Sequence, residues 1–154
     1  MMTLCCNVLT ALKGKTFVTA ESLTGGGIGA ALTAIPGSSE VYKGGIICYT
    51  NWVKQNVLNV PEAALTQYGA VSEPVAEAMV SGVRKLLQAD VAVAVTGLAG
   101  PGGDEFGNPV GTVCIGYQDE HRTIVYRYHF PGDREVVRRQ TIEAALNLVL
   151  RYQA

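Results

Sequence analysis

A three-layer α/β/α fold around a mixed sheet of about five strands, parallel strands plus an antiparallel hairpin, is predicted by three observations. Short β-branched or apolar runs alternate with helical patterns over the first two thirds of the chain, and the last two strand-like runs are separated only by a tight polar turn. Hydrophobic residues make up 48% and charged ones 16%, which suits a sheet covered on both faces. The 154 residues fit one domain, 1–154. A chain of that size buries roughly 70% of its unfolded surface in a single core.

Leu4, Val8, Leu9 and Leu12 recur at helical spacing before Gly14 and predict a first amphipathic helix. The β-branched run from Thr16 then turns through Glu21-Ser22-Leu23-Thr24-Gly25-Gly26-Gly27 into an apolar segment, a strand–loop–helix unit. Its helix, Ile28 to Ile35, stops at Pro36-Gly37. Ser38 to Tyr42 reads as an irregular polar bridge. Gly45 to Thr50 is a second, short apolar strand with little sign of a solvent face, and a helix begins near Asn51 with Lys54 in its first turn. Pro61 to Leu65 opens a short helix that Gly69-Ala70-Val71 interrupts. The long helix from Glu73 to Gln88 presents Val75, Met79, Val83, Leu86 and Leu87 on one side, with Pro74 tolerated in the first turn. Asp90 to Thr96 is the most hydrophobic strand and the expected centre of the sheet. Gly97 to Pro109 is a long glycine-rich loop, a feature usually functional in a compact domain. Val110 to Tyr117 and Thr123 to Phe130 are antiparallel neighbours across the turn Asp119-Glu120-His121-Arg122. Pro131-Gly132-Asp133 launches a terminal helix with Val136, Ile142, Leu146 and Leu150 directed at the core.

A net charge of -1 and a pI near 6.1 give no basic footprint for nucleic acid. No apolar run approaches the roughly 18 residues a membrane helix needs. The first residues lack the basic region and small-residue cleavage site of a signal peptide, so a soluble, cytoplasmic protein is expected. None of the four cysteines has a C-x-x-C partner; buried, inert thiols are expected rather than a disulfide or a metal site.

Ser22, Lys54 and the loop Gly97–Asn108 each follow a strand and are expected to converge at the carboxyl edge of the sheet, where open sheets bind ligands. The glycine corner reads either as an anion cradle at a helix start, with Thr24, Gly25 and Gly26 as its contacts, or as glycines that allow close helix–sheet packing. Gly25-x-Gly27-x-x-Ala30 fits a relaxed dinucleotide fingerprint, but four residues separate strand from glycines and the acidic residue expected at the end of the second strand is missing. A serine triad lacks its G-x-S-x-G and a suitably placed histidine, which leaves serines served by a lysine. Lys54 near a helix start and partly buried would have the lowered pKa a base requires; as a surface residue it would not. Ser38 and Ser39 in Pro36-Gly37-Ser38-Ser39 offer a hydroxyl beside backbone N–H groups able to form an oxyanion hole, or simply a turn. Arg134, Arg138 and Arg139 read as a phosphate site or as a solvated or oligomer-facing cluster.

Six motifs in register, Ala20-Glu21-Ser22-Leu23-Thr24-Gly25-Gly26, Pro36-Gly37-Ser38-Ser39, Tyr49-x-Asn51-x-x-Lys54, Gly69-Ala70-Val71-Ser72, Thr96-Gly97-Leu98-Ala99-Gly100-Pro101 and Pro109-Val110-Gly111-Thr112-Val113, closely resemble the CinA C-terminal domain family. The resemblance runs almost from end to end. It implies a serine amidohydrolase that converts nicotinamide mononucleotide to nicotinate mononucleotide and ammonia in pyridine nucleotide recycling, without a cofactor or metal. It also implies Ser39 as nucleophile and Lys54 as general base, with Tyr49 and Ser22 assisting. Substrate contacts are then expected at Thr24, Gly25, Gly26, Gly37, Ser38, Ala99, Gly100, Arg134 and Arg138, in a homo-oligomer. Two positions depart from the family pattern: Leu23, where cysteine is common, and Asn108, where lysine is common. Non-catalytic paralogues in the family leave a silent module that binds a pyridine nucleotide or a protein partner as the alternative.

Overall fold

The computed structural model describes residues 1–154. Its elements are α1 (Met2–Ala11), β1 (Phe17–Glu21), α2 (Gly27–Thr33), a 3-10 turn (Ser38–Glu40), β2 (Tyr42–Ile47), α3 (Asn51–Asn56), α4 (Glu62–Tyr68), α5 (Glu73–Leu87), β3 (Val91–Gly97), β4 (Thr112–Gln118), β5 (Thr123–His129) and α6 (Arg134–Gln153). The five strands form one mixed sheet in the order β2-β1-β3-β4-β5. β1 pairs parallel with both β2 and β3, while β3–β4 and β4–β5 are antiparallel. The predicted central strand, the hairpin and the mixed sheet are all present.

The alternation along β3 builds two cores. Val91, Val93 and Val95 point to one face and pack with Phe17, Ile115 and Tyr117 under α1, α2 and α6, whereas Ala92 and Ala94 point to the other, with Val18 and Ala20 under α5. Branched residues thus fill the wider layer and alanines let α5 lie close to the sheet. The buried side of α5 is Val75, Ala76, Met79, Val80 and Val83, and Leu86 is exposed.

Three expectations shift. β2 starts earlier than predicted and is an edge strand, with Lys43, Gly45 and Ile47 exposed and the intervening residues partly covered, so it does have a solvent face. α6 buries Val137, Thr141, Ala145, Leu146, Leu148 and Val149; Val136, Ile142 and Leu150 lie on the flank of that broad face. Cys6 is exposed, unlike the other three cysteines. The start of α6 is as expected, with the Asp133 carboxylate accepting a hydrogen bond from Val136 N–H at 3.0 Å.

Candidate active site

Parallel pairing puts the carboxyl ends of β1, β2 and β3 side by side. Glu21 lies opposite Ile47 in the register, and Cys48 N–H donates to Glu21 O at 2.9 Å. The chain therefore leaves β1 at Ser22 and β2 at Cys48 next to one another. α3 then turns back and delivers Lys54 into the gap.

Lys54 is 2% exposed. Its Nζ lies 3.0 Å from Ser22 Oγ, 2.8 Å from Cys48 O and 3.5 Å from Tyr49 O. Burial holds the ammonium below its ordinary value of 10.5, with the nearby Cys48 sulfur acting weakly the other way. The helix end contributes little: α3 has six residues and Lys54 is in its last turn, not the first as predicted. In the neutral amine, two N–H bonds suit the two carbonyls and the lone pair is left for the Ser22 hydroxyl.

Ser22, Tyr49, Lys54, Ala99, Gly100 and Arg134 line one cavity of about 340 Å³. Arg134 Nη1 donates to Gly100 O at 2.6 Å and its Nη2 to Tyr49 Oη at 3.1 Å, so the arginine spans the mouth. The wall formed by the 97–111 loop is held in place. Asp104 Oδ1 accepts from Phe106 N–H and Asn108 N–H, Asn108 Nδ2 donates to Val71 O at 3.2 Å, and Arg127 donates to Asn108 Oδ1.

Ser39 is not in this cavity. It is exposed in the 3-10 turn before β2, at the amino end of the strand whose carboxyl end leads to Lys54. At about 3.3 Å per residue, the six residues of β2 put roughly 20 Å between the two ends. Gly37 and Ser38 share that location, and Ser38 N–H already donates to Ile35 O at 3.2 Å. The expected Ser39–Lys54 pairing and its oxyanion turn are therefore corrected: the serine that meets Lys54 is Ser22.

The predicted phosphate cradle is also occupied from within. The buried Glu21 carboxylate accepts from Thr24 Oγ1 at 2.7 Å, Ile28 N–H at 2.8 Å and Gly29 N–H at 3.0 Å. These are donors the predicted phosphate cradle would have offered, and Gly25 N–H in turn donates to Ser22 O at 3.1 Å. Gly25 and Gly26 instead supply the positive φ values, +58° and +97°, that turn the corner. Arg138 is turned away from the cavity, with Nε on Leu23 O and Nη2 on Thr24 O. Reading along the chain placed the Gly97–Asn108 loop here, and Gly97, Leu98 and Gly102 of that loop do line the cavity, but it missed Asn51, Ala70, Val71 and Thr96; the available signal was their position in motifs that end a strand or open a helix.

The model of the CinA C-terminal domain family matches residues 3–153. The chain belongs to the CinA C-terminal domain family. A nicotinamide-nucleotide amidohydrolase PncC from Pseudomonas putida is 50% identical over 132 residues, 86% of this chain and 82% of that protein. A CinA-like protein from Synechococcus sp. (strain CC9902) is 55% identical over 102 residues, which is 66% of this chain but 24% of the relative. This chain spans about a third of a CinA-like protein from Sulfurihydrogenibium sp., 34% of its length at 48% identity over 90% of this chain. The crystal structure of a competence damage-inducible protein A (ComA) from Klebsiella pneumoniae superposes with a TM-score of 0.95 at 37% identity, covering 98% of this chain and 95% of that one. The family thus agrees with the resemblance read from the six motifs. No helix is long and apolar enough to cross a membrane.

Proposed function

We propose that the chain is a Ser/Lys amidohydrolase that deamidates nicotinamide mononucleotide, with Ser22 as nucleophile and Lys54 as general base. The observation that carries this reading is the 3.0 Å approach of Ser22 Oγ to the buried Lys54 Nζ at the head of a cavity. The 50% identity to the P. putida amidohydrolase supports the substrate.

Neutral Lys54 takes the Ser22 proton as Oγ attacks the carboxamide carbon. Collapse of the tetrahedral intermediate breaks the C–N bond, and the Lys54 ammonium protonates the departing ammonia. A water deprotonated by Lys54 then attacks the acyl-enzyme ester, the C–Oγ bond breaks to release nicotinate mononucleotide, and the Lys54 ammonium returns the proton to Ser22 Oγ. Arg134 is the group suited to the substrate phosphate. Two of its five N–H donors are used by Gly100 O and Tyr49 Oη, which leaves three. Tyr49, 58% exposed at the mouth, is placed to close over the ring.

The test is ammonia release from nicotinamide mononucleotide by wild type, Ser22→Ala, Lys54→Met and Ser39→Ala. Wild type and Ser39→Ala are expected to turn over at similar rates, and the first two variants to lose at least about 10³-fold in kcat. An inactive wild type, or an active Ser22→Ala, refutes the reading. Substrate affinity without turnover would instead favour a silent binding module.

A further inference from the structure

Two charged side chains that take no part in the chemistry above grip the corner behind Ser22 from opposite sides. Glu21, 2% exposed, collects its donors: the Thr24 hydroxyl and the N–H groups of Ile28 and Gly29. Arg138, reaching across from α6, collects its acceptors, with Nε 2.9 Å from Leu23 O and Nη2 3.2 Å from Thr24 O. Among the donors this grip leaves over are the N–H groups of Leu23 and Thr24. Neither donates to any acceptor in the chain, although the two residues are only 4% and 0% exposed. Buried N–H groups without a partner are rare in folded proteins, and these two directly follow the proposed nucleophile. Leu23 lines the cavity that Ser22 and Lys54 share.

The peptide geometry says what the arginine does. In a trans peptide unit C=O and N–H point in opposite directions, so fixing Leu23 O on Arg138 aims Thr24 N–H away from α6. A cation on that carbonyl also polarises the peptide and makes its N–H a stronger donor. We propose that the Leu23 and Thr24 N–H groups form the oxyanion hole of the reaction and that Arg138, through the Leu23 carbonyl, is the positioning residue that orients and polarises the Thr24 N–H. When Ser22 Oγ bonds to the amide carbon, the C=O π electron pair moves onto oxygen, and the two N–H groups receive that charge. The ground-state amide oxygen carries far less, so the donors act mainly on the transition state. The Gly37–Ser38 turn, the alternative hole read from the sequence, is excluded by its place at the other end of β2.

This inference rests on the amidohydrolase reading, and the experiment separates the two. Arg138→Met and Arg138→Lys are compared with wild type for kcat, KM, the pH profile of kcat/KM, and inhibition by 3-pyridineboronic acid. The tetrahedral boronate adduct of Ser22 carries an oxygen where the oxyanion forms. Arg138→Met is expected to lower kcat and weaken boronate inhibition by a similar factor, about 10- to 100-fold. KM and affinity for nicotinate mononucleotide should stay within about two-fold, and the Lys54 limb of the pH profile should not move. Arg138→Lys, able to reach one carbonyl, should fall between the two, and it serves as the decisive variant if Arg138→Met does not fold. Full kcat and full boronate inhibition in the variant that folds overturn the inference. So does a loss shared equally by KM and product affinity. A wild type that releases no ammonia refutes the amidohydrolase reading itself, whereas an active wild type with an unaltered arginine variant refutes only the role of Arg138.

Discussion

At the scale of single residues, the pH behaviour of the protein turns on Lys54. Its ammonium is held below 10.5 by burial in the folded state, whereas the unfolded chain has the ordinary value. Below the folded value both states hold the proton, and the folded state carries the full cost of a buried charge. Between the folded value and 10.5 only the unfolded chain holds it, so stability rises with pH through that window. Wild type should therefore gain stability relative to Lys54→Met as pH is raised from neutrality to about 10. Urea denaturation across that range reads the difference, and a gap that stays constant with pH contradicts it. The same group predicts that kcat/KM climbs with pH on a limb whose midpoint lies below 10.5, because the neutral amine is the base. Initial rates over the same range locate the limb; a midpoint at the ordinary lysine value would mean that Lys54 titrates as if exposed.

At the scale of elements, α3 positions Lys54 and is itself held by its neighbours. Val60 N–H donates to Lys54 O at 3.0 Å, and Leu58 is buried against α5. Gly82 of α5 sits directly beneath the Leu58 carbonyl, which a Cβ at that position would strike. In a helix interior alanine normally exceeds glycine by roughly 0.5–1 kcal/mol. Gly82→Ala is expected to reverse that sign, with a net loss of about 1–3 kcal/mol from backbone displacement. Because the displaced stretch is tied to α3, kcat should fall as well. Thermal denaturation with activity measurement checks both, and a raised midpoint with full activity would show that α3 and α5 have slack between them.

For the molecule as a whole, the site is a product of strand order. β1 and β2 bring Ser22 and Lys54 together across 32 residues of sequence, and α6 adds Arg134 from the far end of the chain. Binding of nicotinate mononucleotide should raise folding stability by about 2.7 kcal/mol at 100 times Kd. Arg134→Ala should lose most of that shift for the mononucleotide but not the smaller shift given by nicotinate, which has no phosphate; equal losses for both would move the phosphate elsewhere. The sequence by itself determined the elements and their class. The alternating valines and alanines of β3, the tight turn between β4 and β5 and the Asp133 cap of α6 are local patterns, and each is read over a few neighbouring residues. Motif order was sufficient for the family, and with it Lys54, Tyr49, Ala99, Gly100 and Arg134 as lining residues of the cavity. Only the tertiary structure decided which serine Lys54 meets. Ser39 and Ser22 both lie in polar turns near glycines, but one precedes β2 and the other follows β1, and parallel pairing sends those positions to opposite ends of the sheet. It also decided what sits at the start of α2. Glu21 is drawn into the core by its place at the end of a fully buried strand, and a carboxylate buried there is stable only when it takes up the nearest donors, which are the ones the glycine corner had offered to a ligand.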